Sequence, residues 1–600
     1  MFDWPAAISR RVWEDKYRHA EADPAEAAPD DSWRRVANAL AAAETQDRQG
    51  WADRFFAAMS DFRFLPGGRI LAGAGTGRDV TLFNCFVMGE LEDSVAGIFR
   101  ALEESARTMQ QGGGIGIDFS PLRPRGMLAR RTGNIATGPV SFMRIWDAMC
   151  ATILSAGARR GAMMATLRCD HPDIEAFIDA KREPGQLRHF NLSVLVSDAF
   201  MEAVRTDRYW PLVFPATGEK AGRDTVMQPW SGAPEPVPCQ IMRRIRARDL
   251  LKRITDTAYD TSEPGVLFVD RINRLDNLAY CQRITATNPC GEIPLPPHGA
   301  CDLGSINLTR FVQHPFTPRA RLDNGAIEAI VPVAVRLLDN VIDVSRFPLD
   351  AQAETARLTR RVGLGITGLA DTLLMLRLDY GEDSARQLAA ETMRRICHAA
   401  YRASVALARE KGPFGRFERD AYLAGGFVSG LPDDIRHAIA AYGIRNSHLV
   451  AIAPAGSISL LAGNVSSGLE PIFAGRVRRR VTGPDGEPVS LDLTDYALAM
   501  WRGMVRREDG VPDGFVTATG LPVEAHLGMQ AALQPHVDNA ISKTVNVPAD
   551  CTREAFASLY ECAFGLGLKG CTVFRPNRVT GAVLTGEDGP EDRHCCHVEA

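Results

Sequence analysis

From Phe62 onward, short apolar segments alternate with longer stretches of helical periodicity, and few architectures accept that pattern. Apolar runs at Thr81 to Met88, Asn191 to Val196, Trp210 to Phe214 and Val266 to Val269 read as strands. Between and beyond them, the spacing predicts helices over Val95 to Gln111, Ile327 to Val344 and Asp383 to Lys411. Strands separated by helices of that length indicate an α/β fold. Ahead of this region, Trp13 to Ser60 is Ala-rich with charges at helical spacing, and Asp30 and Asp31 offer an N-cap just before Trp33, so a helical N-terminal region is expected over residues 1–80. Pro215 to Pro238 is rich in Gly, Pro and polar residues and reads as an excursion loop or hairpin. Residues 576–600 carry little apolar periodicity and read as a flexible tail ending in His594-Cys595-Cys596-His597 and three more residues.

The chain has 600 residues, enough for a sizeable core, and a net charge of −4, which lacks the basic excess of a nucleic-acid binder. No apolar run approaches the roughly 18 residues of a membrane-spanning helix. The N-terminus has no apolar signal segment, so a cytoplasmic protein is expected. Thirteen cysteines is an odd count scattered along the chain, which in a reducing compartment points to thiol chemistry at a few positions rather than a disulfide scaffold.

The densest chemistry lies in Asn288-Pro289-Cys290-Gly291-Glu292-Ile293-Pro294-Leu295. Prolines at 289 and 294 keep this segment out of a helix interior. In an extended backbone, period two then puts an amide, a thiol and a carboxylate on one face. Taken alone, the segment is equally a loop with a small buried cysteine, a solvated Glu292 and a turn-capping Asn288.

Further motifs decide between these readings. Asn288-Pro289-Cys290-Gly291-Glu292 followed by Cys301-Asp302-Leu303-Gly304-Ser305-Ile306-Asn307-Leu308 resembles the core signature of ribonucleotide reductase catalytic chains. Upstream, Arg63-Phe64-Leu65-Pro66, Asn84-Cys85-Phe86-Val87 and Gly112-Gly113-Gly114-Ile115-Gly116 match in the family's order. Downstream come Arg361-Val362-Gly363-Leu364-Gly365, Gly368-Leu369-Ala370-Asp371 and Ala453-Pro454-Ala455-Gly456-Ser457-Ile458-Ser459. Any one glycine-rich piece is weak, whereas ordered motifs spanning about residues 60 to 577 are specific.

The resemblance implies reduction of ribonucleotides, by family frequency the diphosphates, to 2′-deoxyribonucleotides, with a thiyl radical on Cys290, Glu292 as general base and Asn288 orienting the ribose hydroxyls. It implies that Cys85 and Cys301 supply two electrons by closing to a disulfide, and that Cys595 and Cys596 of the tail re-reduce them, drawing on thioredoxin or glutaredoxin. Adjacent histidines leave a metal-binding tail as the competing reading, although four neighbouring ligands do not easily surround one ion. The loop Pro454, Ala455, Gly456, Ser457, Ile458 would bind substrate phosphates, with Asn84, Gly114 and the backbone of Gly68 also touching substrate. Asp93 and Ser94 resemble the site for dNTP or ATP specificity effectors, and Arg159 and Arg160 lie on the loop that would carry the effector signal; a homodimer goes with that site.

The segment Lys569-Gly570-Cys571-Thr572-Val573-Phe574-Arg575-Pro576-Asn577 lacks the Tyr-Tyr pair of the class served by a separate radical-generating subunit, and nothing near the end resembles a glycyl-radical segment. His536-Val537-Asp538-Asn539-Ala540-Ile541-Ser542-Lys543-Thr544-Val545-Asn546 is similar to a segment of the cobalamin class, so adenosylcobalamin is the expected cofactor, with no residue assigned as a metal ligand. The resemblance also implies a ten-stranded α/β barrel of two five-stranded halves over residues 81–575, with Cys290 on an inner loop. The rival readings are a catalytic subunit dependent on a separate radical-generating subunit, and a nucleotide-binding regulator without catalysis.

Overall fold

The computed structural model describes residues 4–128, 135–155, 159–183, 185–216, 224–233, 235–482, 488–506, 510–576 and 585–586. Ten strands form its principal sheet: β1 (Phe64–Pro66), β2 (Cys85–Val87), β3 (Gly114–Asp118), β4 (Met163–Arg168), β5 (Phe190–Val196), β6 (Gly265–Phe268), β7 (Ala300–Asn307), β8 (Val362–Thr367), β9 (Thr544–Asn546) and β10 (Gly570–Phe574). Strands β2 to β6 pair in sequence order and all in parallel. Parallel neighbours need crossovers, and helices Val95–Gln110, Pro139–Thr152, Ile174–Ile178 and Ala247–Thr261 supply them. A second parallel group holds β7 with β8 and β9 with β10. The two groups meet antiparallel, β7 against β2 and β10 against β6.

Between β8 and β9 the ladder is not continuous, so the sheet is an open path where a closed ten-stranded barrel was expected. Two single parallel bridges, Leu364 with Val450 and Ile452 with Ile541, lie across that interval. Strands β7 and β8 are buried along their whole lengths, as strands covered on both faces must be.

The expected long helices appear as Asn324–Val344 and Asp383–Lys411. The Pro-rich excursion links the strands of a small three-stranded sheet, in which Val237–Arg246 is central and pairs antiparallel to both Tyr209–Pro215 and Thr225–Gln228. Trp210 to Phe214 therefore belongs to this small sheet and not to the main one.

Helices Ala7–Val12, Pro29–Ala41 and Arg48–Met59 make up the N-terminal region. Its second helix begins earlier than the Asp30–Asp31 cap suggested: Pro29 takes the first helical position and Asp31 reaches back to accept from the Ala27 and Ala28 N–H groups at 2.8 and 3.0 Å. Arg336 clamps the region to the body of the fold. Its guanidinium donates to both Glu44 oxygens at 2.8 and 2.6 Å and lies 3.9 Å from the centre of the Trp51 ring. Short strand β1 then leaves the helices and pairs with β7.

Candidate active site

A hairpin carries the chemistry-bearing segment into the sheet's interior. Ala286 and Thr287 pair antiparallel with Leu295 and Pro294, so residues 288–293 form the tip. Pro at the second position and Gly at the fourth suit Asn288-Pro289-Cys290-Gly291 to a β-turn, closed by the Gly291 N–H donating to the Asn288 carbonyl at 3.1 Å. Gly291 sits at φ 83°, a conformation that side chains oppose, and a Cβ there would meet nothing within 4 Å. Asn288 and Glu292 thus converge through a turn, not through the period-two extended run read from the sequence.

Apolar partners fix the hairpin from beneath: Ala286, Ile293 and Leu295 pack with Val87, Leu303 and Ala451. Glycines in β3 let it approach. A Cβ on Gly116 would stand 1.8 Å from the Thr287 carbonyl oxygen, and one on Gly114 3.1 Å from the Pro289 ring. The back of the turn is bonded at three points. Asn191 Nδ2 donates to the Pro289 carbonyl at 2.8 Å, Arg361 Nη1 to Pro294 at 2.8 Å, and the Ala540 N–H to Glu292 at 2.9 Å. Sequence reasoning quoted the motifs around Arg361 and Ala540 but gave neither a role, and it did not single out Asn191.

Around the tip, Asn288 Nδ2 donates to Glu292 Oε1 at 2.8 Å and to Cys85 Sγ at 3.1 Å, and Cys85 Sγ lies 3.8 Å from the same carboxylate oxygen. Cys301 is the direct cross-strand partner of Cys85. Glu292 Oε2 and Asn84 Oδ1 are buried without a hydrogen-bond partner among the described residues, and both residues line the pocket in front of Cys290. Buried acceptors of this kind are costly unless a ligand's donors meet them.

Burial pushes the Glu292 carboxyl up to about 7, against the bonds from Asn288 and Cys85 that pull it down. Burial also raises the Cys85, Cys290 and Cys301 thiols well above the ordinary thiol range; the Glu292 charge adds to this at Cys85 and Cys290, and Asp302 at Cys301. All three sulfurs therefore carry their hydrogens at neutral pH. That state suits hydrogen-atom exchange, whereas an attacking nucleophile would need the thiolate.

The pocket gathers every residue expected at the substrate: Gly68, Asn84, Gly114 and Pro454 to Ile458 line it with Asn288, Cys290 and Glu292. It also takes in Arg69, Gly161, Ala162 and Ser305, which sequence reasoning did not assign to substrate. Cys290 also borders a second cavity of about 580 Å³, lined further by Gly291, Ser193, Gly265, Lys543 and Thr544.

Asp93 and Ser94 lie apart from both cavities. Ser94 caps helix Val95–Gln110 by accepting from the Gly97 N–H at 3.0 Å, and Asp93 pairs with Arg123 at 2.7 Å. Arg159 and Arg160 form a two-residue strand against Leu154–Ser155, with side chains outside the described residues, as are Cys595 and Cys596. No group of three or more His, Cys, Asp or Glu arranged to hold a metal occurs among the described residues, and no described helix is long and apolar enough to cross a membrane.

Two family models match this chain: "Ribonucleotide reductase, barrel domain" over residues 83–574 and "Ribonucleotide reductase, all-alpha domain" over residues 4–79. Among curated proteins, it is 39% identical to the vitamin B12-dependent ribonucleoside-diphosphate reductase of Mycobacterium tuberculosis (strain CDC 1551 / Oshkosh), covering 92% of this chain and 76% of that one. Identity to the protein of the same name from Thermoplasma acidophilum is 36%, covering 89% and 66%. To the vitamin B12-dependent ribonucleotide reductase of Streptomyces coelicolor it is 28%, covering 86% and 58%. The chain thus spans about three quarters of the first of these relatives and less than two thirds of the other two.

Proposed function

The chain belongs to the ribonucleotide reductase family, and on that premise we propose that it reduces ribonucleoside diphosphates to 2′-deoxyribonucleotides with adenosylcobalamin as cofactor. The observation that carries this reading is the cluster of Asn288, Glu292, Cys85 and Cys290 in the wall of one pocket, with Cys301 directly across the strand pair from Cys85. Reduction of CDP by the purified chain with dithiothreitol, with and without adenosylcobalamin, tests it. Turnover that requires the cofactor supports the assignment; no turnover with CDP or CTP would overturn it in favour of a partner-dependent or non-catalytic chain.

The roles follow from position. In its radical form, Cys290 takes the hydrogen from C3′ of the ribose. Glu292 removes the proton of the 3′-hydroxyl while the 2′-hydroxyl leaves as water, a general-base contribution of roughly 10²–10⁴ in rate. Glu292 Oε2 and Asn84 Oδ1, both unpartnered, accept from the ribose hydroxyls, and Asn288 holds the carboxylate in line. Cys85 and Cys301 give up their two hydrogens, one leaving with the 2′-hydroxyl as water and one replacing it at C2′, and close to a disulfide; Glu292 returns its proton to the 3′-oxygen, and Cys290 returns its hydrogen to C3′.

When bound, adenosylcobalamin supplies the one-electron chemistry that removes a hydrogen atom from a thiol. The 580 Å³ cavity is too small to enclose a whole corrinoid, but it lies within the roughly 300–1,000 Å³ range of sites for smaller groups and would take the cofactor's adenosyl end, with Cys290 and Gly291 in its wall, where Gly291 stands over open space. Lys543, Thr544, Ser193 and Gly265 would line it on the far side.

The two antiparallel seams and the bridges at Leu364 and Ile452 support a ten-stranded barrel of two five-stranded halves over residues 81–575, following a helical region over 1–80. Asp93 and Ser94 would serve a dNTP or ATP effector in a homodimer. Gly161 and Ala162 line the pocket directly after Arg159 and Arg160, which supports that loop as the link from effector to substrate. Cys595 and Cys596 would pass electrons from thioredoxin or glutaredoxin to the internal pair.

A further inference from the structure

The helical segment that precedes β1 reaches the pocket wall through Tyr17. Tyr17 ends a π-helical turn, Trp13–Tyr17, and is 1% exposed. Its hydroxyl donates to Ser457 Oγ at 2.6 Å, and Ser457 lines the substrate pocket. Gly68 lines the same pocket and offers no side chain. A Cβ built there would lie 3.1 Å from the Tyr17 hydroxyl oxygen and 3.5 Å from Ser457 Oγ. The phenol thus occupies, from outside the sheet, the space that a side chain at position 68 would fill.

That placement is held from three directions. Arg35 Nη2 donates to the Tyr17 carbonyl and to the Leu71 carbonyl, each at 3.1 Å, tying the tyrosine to the helix that begins at Gly68. Ser9 Oγ donates to the Leu460 carbonyl at 2.9 Å, joining helix Ala7–Val12 to helix Gly456–Leu461. A Cβ at Gly463 would stand 3.0 Å from Pro5, so the two segments are in close contact beyond the serine bond as well.

We propose that Tyr17 is a positioning residue for the phosphate end of the substrate, acting through Ser457 from the space beside Gly68. This rests on the reading of Pro454 to Ile458 as the phosphate loop. The N-terminal region is then part of the binding machinery and not a separate appendage: it sets the orientation of one hydroxyl on which a diphosphate docks. A ligand without phosphates does not depend on it.

Kinetics of the full chain with adenosylcobalamin test the proposal, using CDP as substrate and cytidine as competitive inhibitor. Tyr17→Phe should raise KM for CDP roughly fivefold to tenfold, the loss of one buried hydrogen bond, with kcat within about twofold and the cytidine inhibition constant unchanged. Gly68→Ser alone should also raise KM by crowding the phenol, yet in the Tyr17→Phe background it should lower KM toward the parent value, since its hydroxyl enters the vacated space. An unchanged KM in Tyr17→Phe overturns the proposal, as does an equal rise in the cytidine constant, which marks a general distortion. Failure of the Gly68→Ser rescue overturns the claim of a shared space. Ser457→Ala separates the two levels of inference: if it raises KM while Tyr17→Phe does not, only the role of Tyr17 falls; if Ser457→Ala leaves KM unchanged, the phosphate-loop reading falls with it.

Discussion

Cys85 and Cys301 stand directly opposite each other in the antiparallel pair of β2 and β7. Directly opposed residues of such a pair have Cα atoms about 4.5–5.5 Å apart, which overlaps the span of a disulfide. The two thiols can join without moving the strands. Mild oxidation of the purified chain should therefore yield a Cys85–Cys301 cross-linked peptide by mass mapping, and Cys301→Ser should lose both that peptide and multiple turnover with dithiothreitol. Sustained turnover in the variant would rule out the pair as the electron source.

Replacing Cys290 by Ser removes the weak S–H bond while keeping size and a polar hydrogen. Turnover should vanish with CDP binding retained, as followed by equilibrium dialysis. Residual turnover well above background would remove Cys290 from the radical role.

A carboxyl raised to about 7 acts as a base only above that pH, so kcat/KM should climb through pH 7 and level off beyond it. Glu292→Gln should lose roughly 10²–10⁴ in rate and flatten the profile. Stability should move the other way. An acid whose folded pKa lies above its unfolded value favours the fold at low pH, and that advantage is lost as pH climbs from about 4.5 to about 7. Relative to the parent, Glu292→Gln should gain on the order of 3 kcal/mol between pH 4.5 and pH 8, at 1.36 kcal/mol per pKa unit. Denaturant titrations at the two pH values measure it, and a difference of the opposite sign would show that the carboxylate is stabilised in place.

Gly116→Ala sets a methyl group against the Thr287 carbonyl, where the ideal position is only 1.8 Å away. The hairpin must shift, and displacement of a reacting group by about 1 Å costs about a hundredfold in rate. We expect kcat to fall by that order while circular dichroism stays close to the parent's. Full activity would mean that the hairpin tolerates displacement.

Cys595→Ser with Cys596→Ser should stop turnover driven by thioredoxin and spare turnover driven by dithiothreitol, which reaches Cys85 and Cys301 unaided. Equal loss with both reductants would refute the shuttle role of the tail.

Local patterns in the sequence translated well. Helix Asp383–Lys411 falls where its periodicity places it, and the Pro- and Gly-rich excursion holds an antiparallel hairpin, Thr225–Gln228 with Val237–Arg246. The cysteine pair was legible only through the family's motifs, since nothing in the spacing of residues 85 and 301 says that β2 and β7 are neighbours. The convergence of Asn288 and Glu292 was anticipated for the wrong reason. Extended periodicity was read where Pro289 and the positive φ of Gly291 build a turn. Arg361, Asn191 and Tyr17 were given no role because each acts across the fold on a backbone carbonyl or a distant hydroxyl, and such contacts leave no periodic trace. Of the run 112–116 only Gly114 was read as a substrate contact and Gly116 was given no role, yet at Gly116 the absence of a side chain makes room for the hairpin itself.

Cys290 borders both cavities, sharing that boundary with Pro289, Pro454 and Gly456. A sulfur in such a shared wall is open to a ligand from either chamber. On the proposed function only a hydrogen atom would have to cross it, so neither ligand would have to fit the other, and the two chambers could be reshaped separately: nucleotide preference in one, radical source in the other.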